Sequence, residues 1–512
     1  MLSGLAVLAS CTTHDIIESA DGKGLVLRLR VGMTHTTRAT GDNPTGGEHG
    51  DGLRRGEHHE NDVESIVLFY YNHPAGINAP DDTPVSKIAY IDGINFHPTA
   101  NENTAEIELN ALLYQHHAND QFIVSVNSED FGAASLGELR NKFMTYAWQS
   151  SADGVKANFE NFVMSNETNS LYYQRTSSAD DPDVIEISVE RIMGRLDFCV
   201  DGATVSGSNL LYRAADGGAN TKVGDVLVSH VRAFNVMQPA QMPYLIKRLG
   251  TSSAPSTWNY LEEEWKPAQS LVVEPRTWFK GEPNTTEWYG ATAYGEALAL
   301  GDSWFRDEDR VHVNESGNGF TDGFSVDMTD PSDIQHFYVV DYANENTMTP
   351  ENTTSQTTTG LLIKAVYKPE VVYKASGDPR NPVADETYAT GQTFWRYQPI
   401  VAKFDETKAL YFSSEAAVLA YQAACPEQLA EITKYEGGKC YYPVFLRHDN
   451  SAKTPDLELM EFGIVRNNIY RLKVEFTGPG YNDIPDDVEP EGIRPYIFVR
   501  RWYKINHPEI EI

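Results

Sequence analysis

The chain has 512 residues, of which 41% are hydrophobic and 11% aromatic, enough apolar material for two folded domains. Acidic residues outnumber basic ones 73 to 41, so the formal net charge is −32, and a surface of that sign repels phosphate backbones. Composition therefore argues against nucleic-acid binding, and no apolar run reaches the ~20 residues of a membrane-spanning helix.

The first eleven residues, MLSGLAVLASC, form an apolar run that stops at a small residue followed by Cys11. Residues 8–11 resemble the lipobox of bacterial lipoproteins, in which the signal peptide is cut before the cysteine and the thiol carries lipid. The resemblance implies a signal peptide over residues 1–11 with Cys11 as the lipidated residue. It departs from the usual pattern in one respect, since residues 1–10 contain no Lys or Arg for a basic n-region.

The next segments have the two-residue period of half-buried strands. In residues 25–31 one face carries Leu25, Leu27, Leu29 and Val31, and the other carries two arginines. The same period recurs in residues 63–71, 104–109, 122–127, 184–189, 225–234, 360–367, 439–447 and 468–476. Many short strands separated by Gly, Asn, Asp and Pro loops predict an all-β fold of antiparallel β-sandwiches.

The sequence predicts few helices. Ser135 and Glu138 form a capping-box pattern ahead of an apolar face, which predicts a helix over residues 136–147. Residues 415–424 and 427–435, separated by Pro426, predict a second helical segment that is broken at the proline.

Two segments lack the apolar residues of packed structure. Residues 39–62 are rich in Gly and charge and predict a mobile loop. Residues 477–495 are acidic and carry four prolines, and a semi-extended chain of that length reaches roughly 50 Å at ~3.1 Å per residue. This second segment, the spacer, is therefore long enough to carry the last strand onto a neighbouring molecule.

The stretch that follows the spacer, PYIFVRRWYKI, has apolar side chains on both faces of the expected strand. One face carries Ile497, Val499, Tyr503 and Ile505 with Arg501 among them, and the other carries Tyr496, Phe498 and Trp502. A strand of this kind needs a groove, which strand addition to another molecule supplies. The competing interpretation is an edge strand folded onto its own domain.

The segment GIVRNNIYRLKVEF, residues 463–476, resembles the late C-terminal-domain strand of the Mfa-type fimbrillins, structural subunits of the type V pili of Bacteroidia. The shared core is Val465, Arg466, Asn467, Asn468, Ile469 and Tyr470. Residues 187–198 and 231–250 resemble segments late in the fimbrillin N-terminal domain. The resemblance implies two transthyretin-like β-sandwich domains, over residues 63–245 and 246–476, then the spacer and a C-terminal donor strand over residues 496–512.

The resemblance also implies a maturation pathway. Fimbrillins are exported as lipoproteins and cut after an arginine by a trypsin-like surface protease, and the terminal strand of the next subunit then replaces the first strand. The matching bond is Arg38–Ala39, between a removable segment, residues 24–38, and the loop. Arg54 and Arg55 are secondary sites. The implied location is a cell-surface fimbrium that contributes to adhesion and biofilm formation. The implied partners are other subunits of a homopolymer, anchor and tip subunits, an Arg-specific protease, and the outer membrane before cleavage.

Catalytic signatures are missing from the sequence. It contains no nucleophile elbow, phosphate loop or HExxH pattern, so we expect no enzyme, cofactor or metal. The cluster Glu57, His58, His59 and Glu60 offers metal-ligand types, but a solvated polar run explains it better.

Two other functions stay open at this point. One is a tip or accessory adhesin of the same pili. The other is a glycan-binding surface lipoprotein that uses tryptophans of the middle region, for which core packing is the competing explanation: Trp258, Trp265, Trp278, Trp288 and Trp304. Cys425 and Cys440 are either a disulfide or two thiols, and Cys199 is expected in the core.

Overall fold

A computed structural model of the chain describes residues 25–31, 53–54, 60, 62–96, 105–112, 118–142, 144, 149–150, 159–167, 169–173, 184–216, 220–236, 243–251, 254–260, 270–272, 294–311, 324–327, 335–402, 405–448, 457–486, 488 and 491–502.

Strands dominate these residues. In the first half of the chain they are β1 (Leu25–Val31), β2 (Leu53–Arg54), β3 (Val63–Asn72), β4 (Ser86–Phe96), β5 (Ala105–Leu112), β6 (Asp120–Val126), β7 (Gln149–Ser150), β8 (Phe159–Glu160), β9 (Met164–Asn166), β10 (Leu171–Tyr173), β11 (Val184–Arg191), β12 (Met193–Cys199), β13 (Thr204–Ser206), β14 (Asn209–Ala215) and β15 (Lys222–Phe234). In the second half they are β16 (Arg248–Thr251), β17 (Ala254–Tyr260), β18 (Ser270–Val272), β19 (Phe324–Asp327), β20 (Gln335–Asn344), β21 (Gly360–Pro369), β22 (Tyr373–Lys374), β23 (Val383–Ala384), β24 (Phe394–Pro399), β25 (Leu410–Phe412), β26 (Ala430–Tyr435), β27 (Lys439–Phe445), β28 (Asn468–Phe476) and β29 (Ile493–Trp502). Three α-helices accompany them, α1 (Leu136–Arg140), α2 (Tyr294–Leu300) and α3 (Glu415–Ala424). The predicted all-β class is confirmed.

The first body of the molecule is an eight-stranded path in the order β4-β3-β6-β9-β11-β1-β5, with β10 paired to β11. Strand β11 joins two sheet segments, because its first residues pair with β1 while residues 189–191 pair with β9. Leu68, Val124 and Ile187 are fully buried in the core beneath this path. Residues 25–31 of the predicted removable segment are thus part of the first body.

The second body is a β-sandwich. One sheet has the order β19-β20-β12-β28-β29-β2 and the other the order β13-β14-β15-β21-β27. Their facing side chains share one core, to which Leu196 and Tyr470 contribute from the first sheet and Val226 and Ile363 from the second. Alternation along each strand produces this arrangement, since every second residue faces the opposing sheet.

The domain boundary predicted at residues 245 and 246 differs from the arrangement in the structure. Strands β12 to β15, residues 193–234, pair with β20, β21 and β28 and form part of both sheets of the second body. The chain crosses from the first body to the second at Ile192, the one residue between β11 and β12. No Gly or Pro cluster marks this crossing, so the sequence pattern contained no boundary signal there.

Of the three predicted helical segments, one is shorter than predicted, one is confirmed and one is a strand. Helix α1 begins as expected, with the Ser135 hydroxyl accepting a hydrogen bond from the Glu138 amide, but it ends at Arg140. Helix α3 is confirmed over residues 415–424. The predicted helix over residues 427–435 is wrong, because residues 430–435 form β26 and pair along β24. Ile432 and Thr433 are β-branched and favour a strand.

Residues 370–438 form an insertion between the neighbouring antiparallel strands β21 and β27. It contains a five-stranded sheet of the order β23-β22-β25-β24-β26. Helix α3 packs on this sheet through Val418 around a small core of its own that includes Tyr397 and Phe412. The insertion therefore places side chains of β24 beside the C-terminal part of the chain.

Candidate assembly site

Strand β1 lies inside a sheet rather than at its edge. It pairs in parallel with β11, and on its other side it pairs antiparallel with β5. Strand β5 ends the path, so β1 is its link to the rest of the sheet among the described strands. Loss of β1 would leave two unpaired strand edges facing one another, and we call this space the β1 slot.

The β1 slot has an alternating register. Leu27 and Leu29 lie opposite apolar residues on both neighbouring strands, namely Ile185 and Leu109 for the first, and Ile187 and Ile107 for the second. Arg28 lies between Glu186 and Glu108. Directly opposed residues of unlike charge stabilise a sheet by ~0.2–1 kcal/mol per pair. The slot thus specifies an apolar, a basic and an apolar residue in succession.

The other predicted strand, β29, is folded onto its own molecule. It pairs antiparallel with β28 from Phe476↔Ile493 to Asn468↔Arg501. Ile493, Ile497 and Val499 are buried in the sandwich core, whereas Tyr496 is half-buried and its hydroxyl donates to Glu475 Oε2 at 2.9 Å. Of the predicted donor residues, Tyr496, Ile497, Phe498, Val499 and Trp502 therefore lie in β29.

The spacer does not extend away from the body. Its two ends meet, since the amides of Thr477 and Gly478 both donate to the Gly492 carbonyl, at 2.7 and 3.1 Å. The Tyr441 and Tyr481 backbones bond each other in both directions. This closed loop replaces the extended linker of roughly 50 Å that the proline content had predicted.

Three tyrosine hydroxyls fix the spacer to the second body by donating to its carbonyl groups. Tyr442 donates to Gly478 O at 3.0 Å, Tyr435 to Gly480 O at 2.8 Å, and Tyr294 to Pro485 O at 2.6 Å. Ile484 and Val488 of the spacer are buried against the cluster that contains Trp304. These two apolar side chains, isolated among acidic residues, were the sequence signal for a packed loop.

A charged contact from the insertion closes the end of the spacer. Arg396 of β24 bonds Glu491 at 3.2 Å and Glu406 at 2.5 Å. Burial raises the pKa of Glu491, and Arg396 opposes that shift. Gly492, directly after Glu491, has a φ of 70° and would clash with Pro479 O if it carried a Cβ. A left-handed backbone and a close approach thus require glycine where the spacer meets β29.

A buried ion network joins the two bodies. Arg195 bonds Glu60 at 3.1 Å and Asp197 at 2.9 Å, and Arg471 of β28 bonds Asp197 at 3.2 Å. The side chains of all four residues are fully buried. The assignment of Glu60 to a solvated run is therefore wrong, because a carboxylate buried beside guanidinium groups is held by charge and hydrogen bonds.

Two further predictions concern the middle of the chain. Trp304 is buried, with the Arg232 guanidinium 4.2 Å from its ring centroid, which fits the core-packing interpretation. Cys199, Cys425 and Cys440 are buried free thiols. Burial raises the pKa values of Cys199 and Cys440 to about 12, so neither is reactive near neutral pH.

Several predicted sites lie outside the described residues: Cys11, Arg38, Ala39, Arg55, Glu57, His58, His59, Trp265, Trp278, Trp288, Tyr503 and Ile505. Within the described ranges, no group of three or more His, Cys, Asp or Glu side chains is arranged to hold a metal ion. In the same ranges no helix has the length and apolarity needed to cross a membrane.

Comparison with known families gives one match. The model described as "Major fimbrial subunit protein type IV, Fimbrillin, C-terminal" matches residues 433–506. That range contains β27, β28, the spacer and β29. The segment on which the sequence resemblance rests, residues 463–476, lies inside it.

The solved structures that are similar to this chain include two fimbrial proteins of one organism. The fimbrilin FimA of Porphyromonas gingivalis shares 11% identity with a TM-score of 0.36, over 95% of this chain and 99% of its own. The tip fimbrial protein Mfa3 of the same organism shares 9% identity with a TM-score of 0.34, over 93% and 99%. None of the curated proteins matches this chain.

Proposed function

We propose that this chain is a fimbrillin that forms part of a cell-surface fimbria, which the family match over residues 433–506 supports, and that it polymerises by strand exchange between copies. The observation that carries the proposal is the position of β1 between β11 and β5. A strand near the N-terminus that is paired on both sides leaves a ready-made slot when it is removed. A second copy can fill that slot with main-chain hydrogen bonds alone, at ~1 kcal/mol net each.

Maturation in this proposal begins with export as a lipoprotein anchored to the outer membrane through Cys11. An Arg-specific surface protease then cuts the Arg38–Ala39 bond, which lies seven residues beyond the last residue of β1. A cut at this bond separates β1 from the rest of the chain, so only non-covalent pairing retains it. Before the cut, β1 fills its own slot and keeps the subunit monomeric.

The strand that replaces β1 comes from the C-terminal segment of the next subunit, residues 493–512. Repetition of this step builds a homopolymer, with separate anchor and tip subunits at its ends. The protein acts as a building block, not as a catalyst. The burial of Trp304 removes one residue from the competing glycan-binding interpretation.

Limited trypsin digestion of the full-length protein tests the proposal. We expect a product that begins at Ala39 and grows into an SDS-resistant ladder over several days. The control lacks residues 503–512, which keeps β29 complete, and it should be cut at the same bond but form no ladder. A wild-type product that begins at Ala39 and stays monomeric would overturn the proposal.

A further inference from the structure

The order of charged and apolar residues on the two strands beside the β1 slot selects the incoming strand, and this inference rests on the proposed strand exchange. The position of Arg28 is flanked by Glu186 on β11 and Glu108 on β5. The positions before and after it are flanked by apolar residues on both sides, and Ile187 is fully buried in the first core. An incoming strand must therefore offer a basic residue with an apolar neighbour on each side.

Candidates from the C-terminal segment can be compared position by position. If Arg500 takes the place of Arg28, then Arg501 takes the place of Leu29, opposite buried Ile187. If Arg501 takes that place, Arg500 falls on the position of Leu27 in the other apolar pair. Both registers bring a charge to an apolar position, which is unfavourable without a partner.

Two basic residues remain in this segment. Arg494 at the position of Arg28 would bring Pro495 to the position of Leu29, in the middle of a ladder where proline lacks the N–H it needs. Lys504 is flanked by Tyr503 and Ile505. Because both neighbours are apolar, the match holds for either direction of the incoming strand.

The length of the chain agrees with this choice. Strand β29 ends at Trp502 with its residues paired along β28, and ten residues follow it, residues 503–512. The slot that β1 fills spans seven residues. With Lys504 at the position of Arg28, residues 503–507 of the part of the chain beyond β29, which we call the tail, cover five of these seven positions.

We infer that Lys504 from the tail of a second copy occupies the register position of Arg28, opposite Glu108 and Glu186, with Tyr503 and Ile505 at the two apolar positions. The slot is then an acceptor for an apolar-basic-apolar strand of the same protein.

Peptide binding tests this register. Fluorescent peptides of residues 495–512 are added to the trypsin-matured subunit, and the dissociation constant is measured by anisotropy. The variants Lys504→Glu, Arg500→Glu and Arg501→Glu carry the same net charge, so general repulsion by the acidic subunit affects them equally. We expect Lys504→Glu to weaken binding about tenfold more than either control, which corresponds to about 1.4 kcal/mol.

A charge-reversed acceptor completes the test. In the chain with Arg28→Glu, Glu108→Lys and Glu186→Lys, β1 keeps unlike charges during folding, and the matured subunit should prefer the Lys504→Glu peptide to the wild-type one. Equal weakening by all three peptide variants, or a larger loss for Arg500→Glu, overturns the register while strand exchange stands. Failure of the wild-type peptide to bind the wild-type subunit overturns strand exchange itself.

Discussion

Strands β1 and β29 differ in how they are paired. Strand β1 pairs with β11 over residues 26–30 and with β5 over residues 25–31, with one register shift in the second pairing, and the chain beyond it leads to the proposed cleavage bond. Among the described strands, β29 pairs along β28 on one side and with the two residues of β2 on the other. Its attachment comes instead from Ile493, Ile497 and Val499 in the sandwich core and from the spacer behind it.

The comparison shows that the backbone pairing of a strand and its retention in the subunit after proteolysis are separate properties. A strand that is paired on both sides leaves a place that another strand of suitable pattern can fill, because any such strand offers the same backbone groups. A strand that buries large aliphatic side chains gains ~1.5–3 kcal/mol for each one. We therefore expect β1 to leave after proteolysis and β29 to stay, and the four predictions below test that contrast.

The largest effect is expected at the junction between the two bodies. Replacing Arg195 by Met leaves Glu60 and Asp197 buried with one guanidinium fewer, which should lower the free energy of unfolding by roughly 3–5 kcal/mol. The matched control is Arg380→Met. Arg380 pairs with Glu427 at 3.2 Å on the surface, where both side chains are about half exposed, so that loss should stay within ~0.5 kcal/mol.

Urea denaturation of the uncleaved chain measures both variants. Equal and small losses would show that the buried network adds nothing that a surface pair does not, and that the two bodies are not coupled through Glu60.

The next effect separates the two strands directly. Ile497→Ala removes a buried side chain of β29 and should cost roughly 2–4 kcal/mol, both before and after trypsin treatment. Leu29→Ala should destabilise the uncleaved chain alone, because the matured subunit no longer contains β1. Thermal denaturation of both variants, each before and after trypsin treatment, gives the four losses of stability. If the Ile497→Ala penalty vanished after cleavage, β29 would have left the sandwich together with β1.

A pH effect should be confined to the second body. Burial lowers the pKa of His448 to about 3, and His448 Nδ1 shares a hydrogen bond of 2.8 Å with the Tyr470 hydroxyl of β28. A pKa below the unfolded value of ~6.5 means that stability is complete above pH ~6.5 and falls as the unfolded chain takes up the proton, by roughly 2 kcal/mol at pH 5.

Comparison of wild type with His448→Gln in urea, at pH 7 and at pH 5, isolates this contribution. The variant should lose less stability than wild type between the two pH values. Identical losses in the two proteins would show that His448 is not the group responsible.

The sequence predicts where many of the strands lie but not which strands pair with one another. The two-residue period identified β1, β3, β11 and β28 because alternation is a local property of the chain. No local signal marks the crossing at Ile192, because the sequence pattern does not change between β11 and β12 although the two strands belong to different bodies. Partner choice depends on residues far apart in the chain, as when β12 pairs with β28.

The spacer shows why a prediction from composition alone was wrong. Four prolines and many acidic residues predicted an extended linker, yet Ile484 and Val488 pack against the body and three tyrosines bond the spacer's carbonyl groups. Buried Glu60 shows the same limit, because its partner Arg195 lies 135 residues away. A segment read only by its own composition does not reveal partners supplied by the rest of the fold.

The last prediction is that locking β29 in place has no effect on polymerisation. This result would directly test the contrast between β1, which leaves, and β29, which stays. Glu475 on β28 and Arg494 on β29 lie opposite each other and are exposed, so Cys at both positions allows a disulfide that locks β29 in place. If the tail alone is exchanged, the oxidised lock should form the same SDS-resistant ladder as its reduced form, and deletion of residues 503–512 should abolish both. An oxidised protein that stays monomeric while the reduced one polymerises would mean that β29 itself must leave, and that burial of its three aliphatic side chains does not retain it.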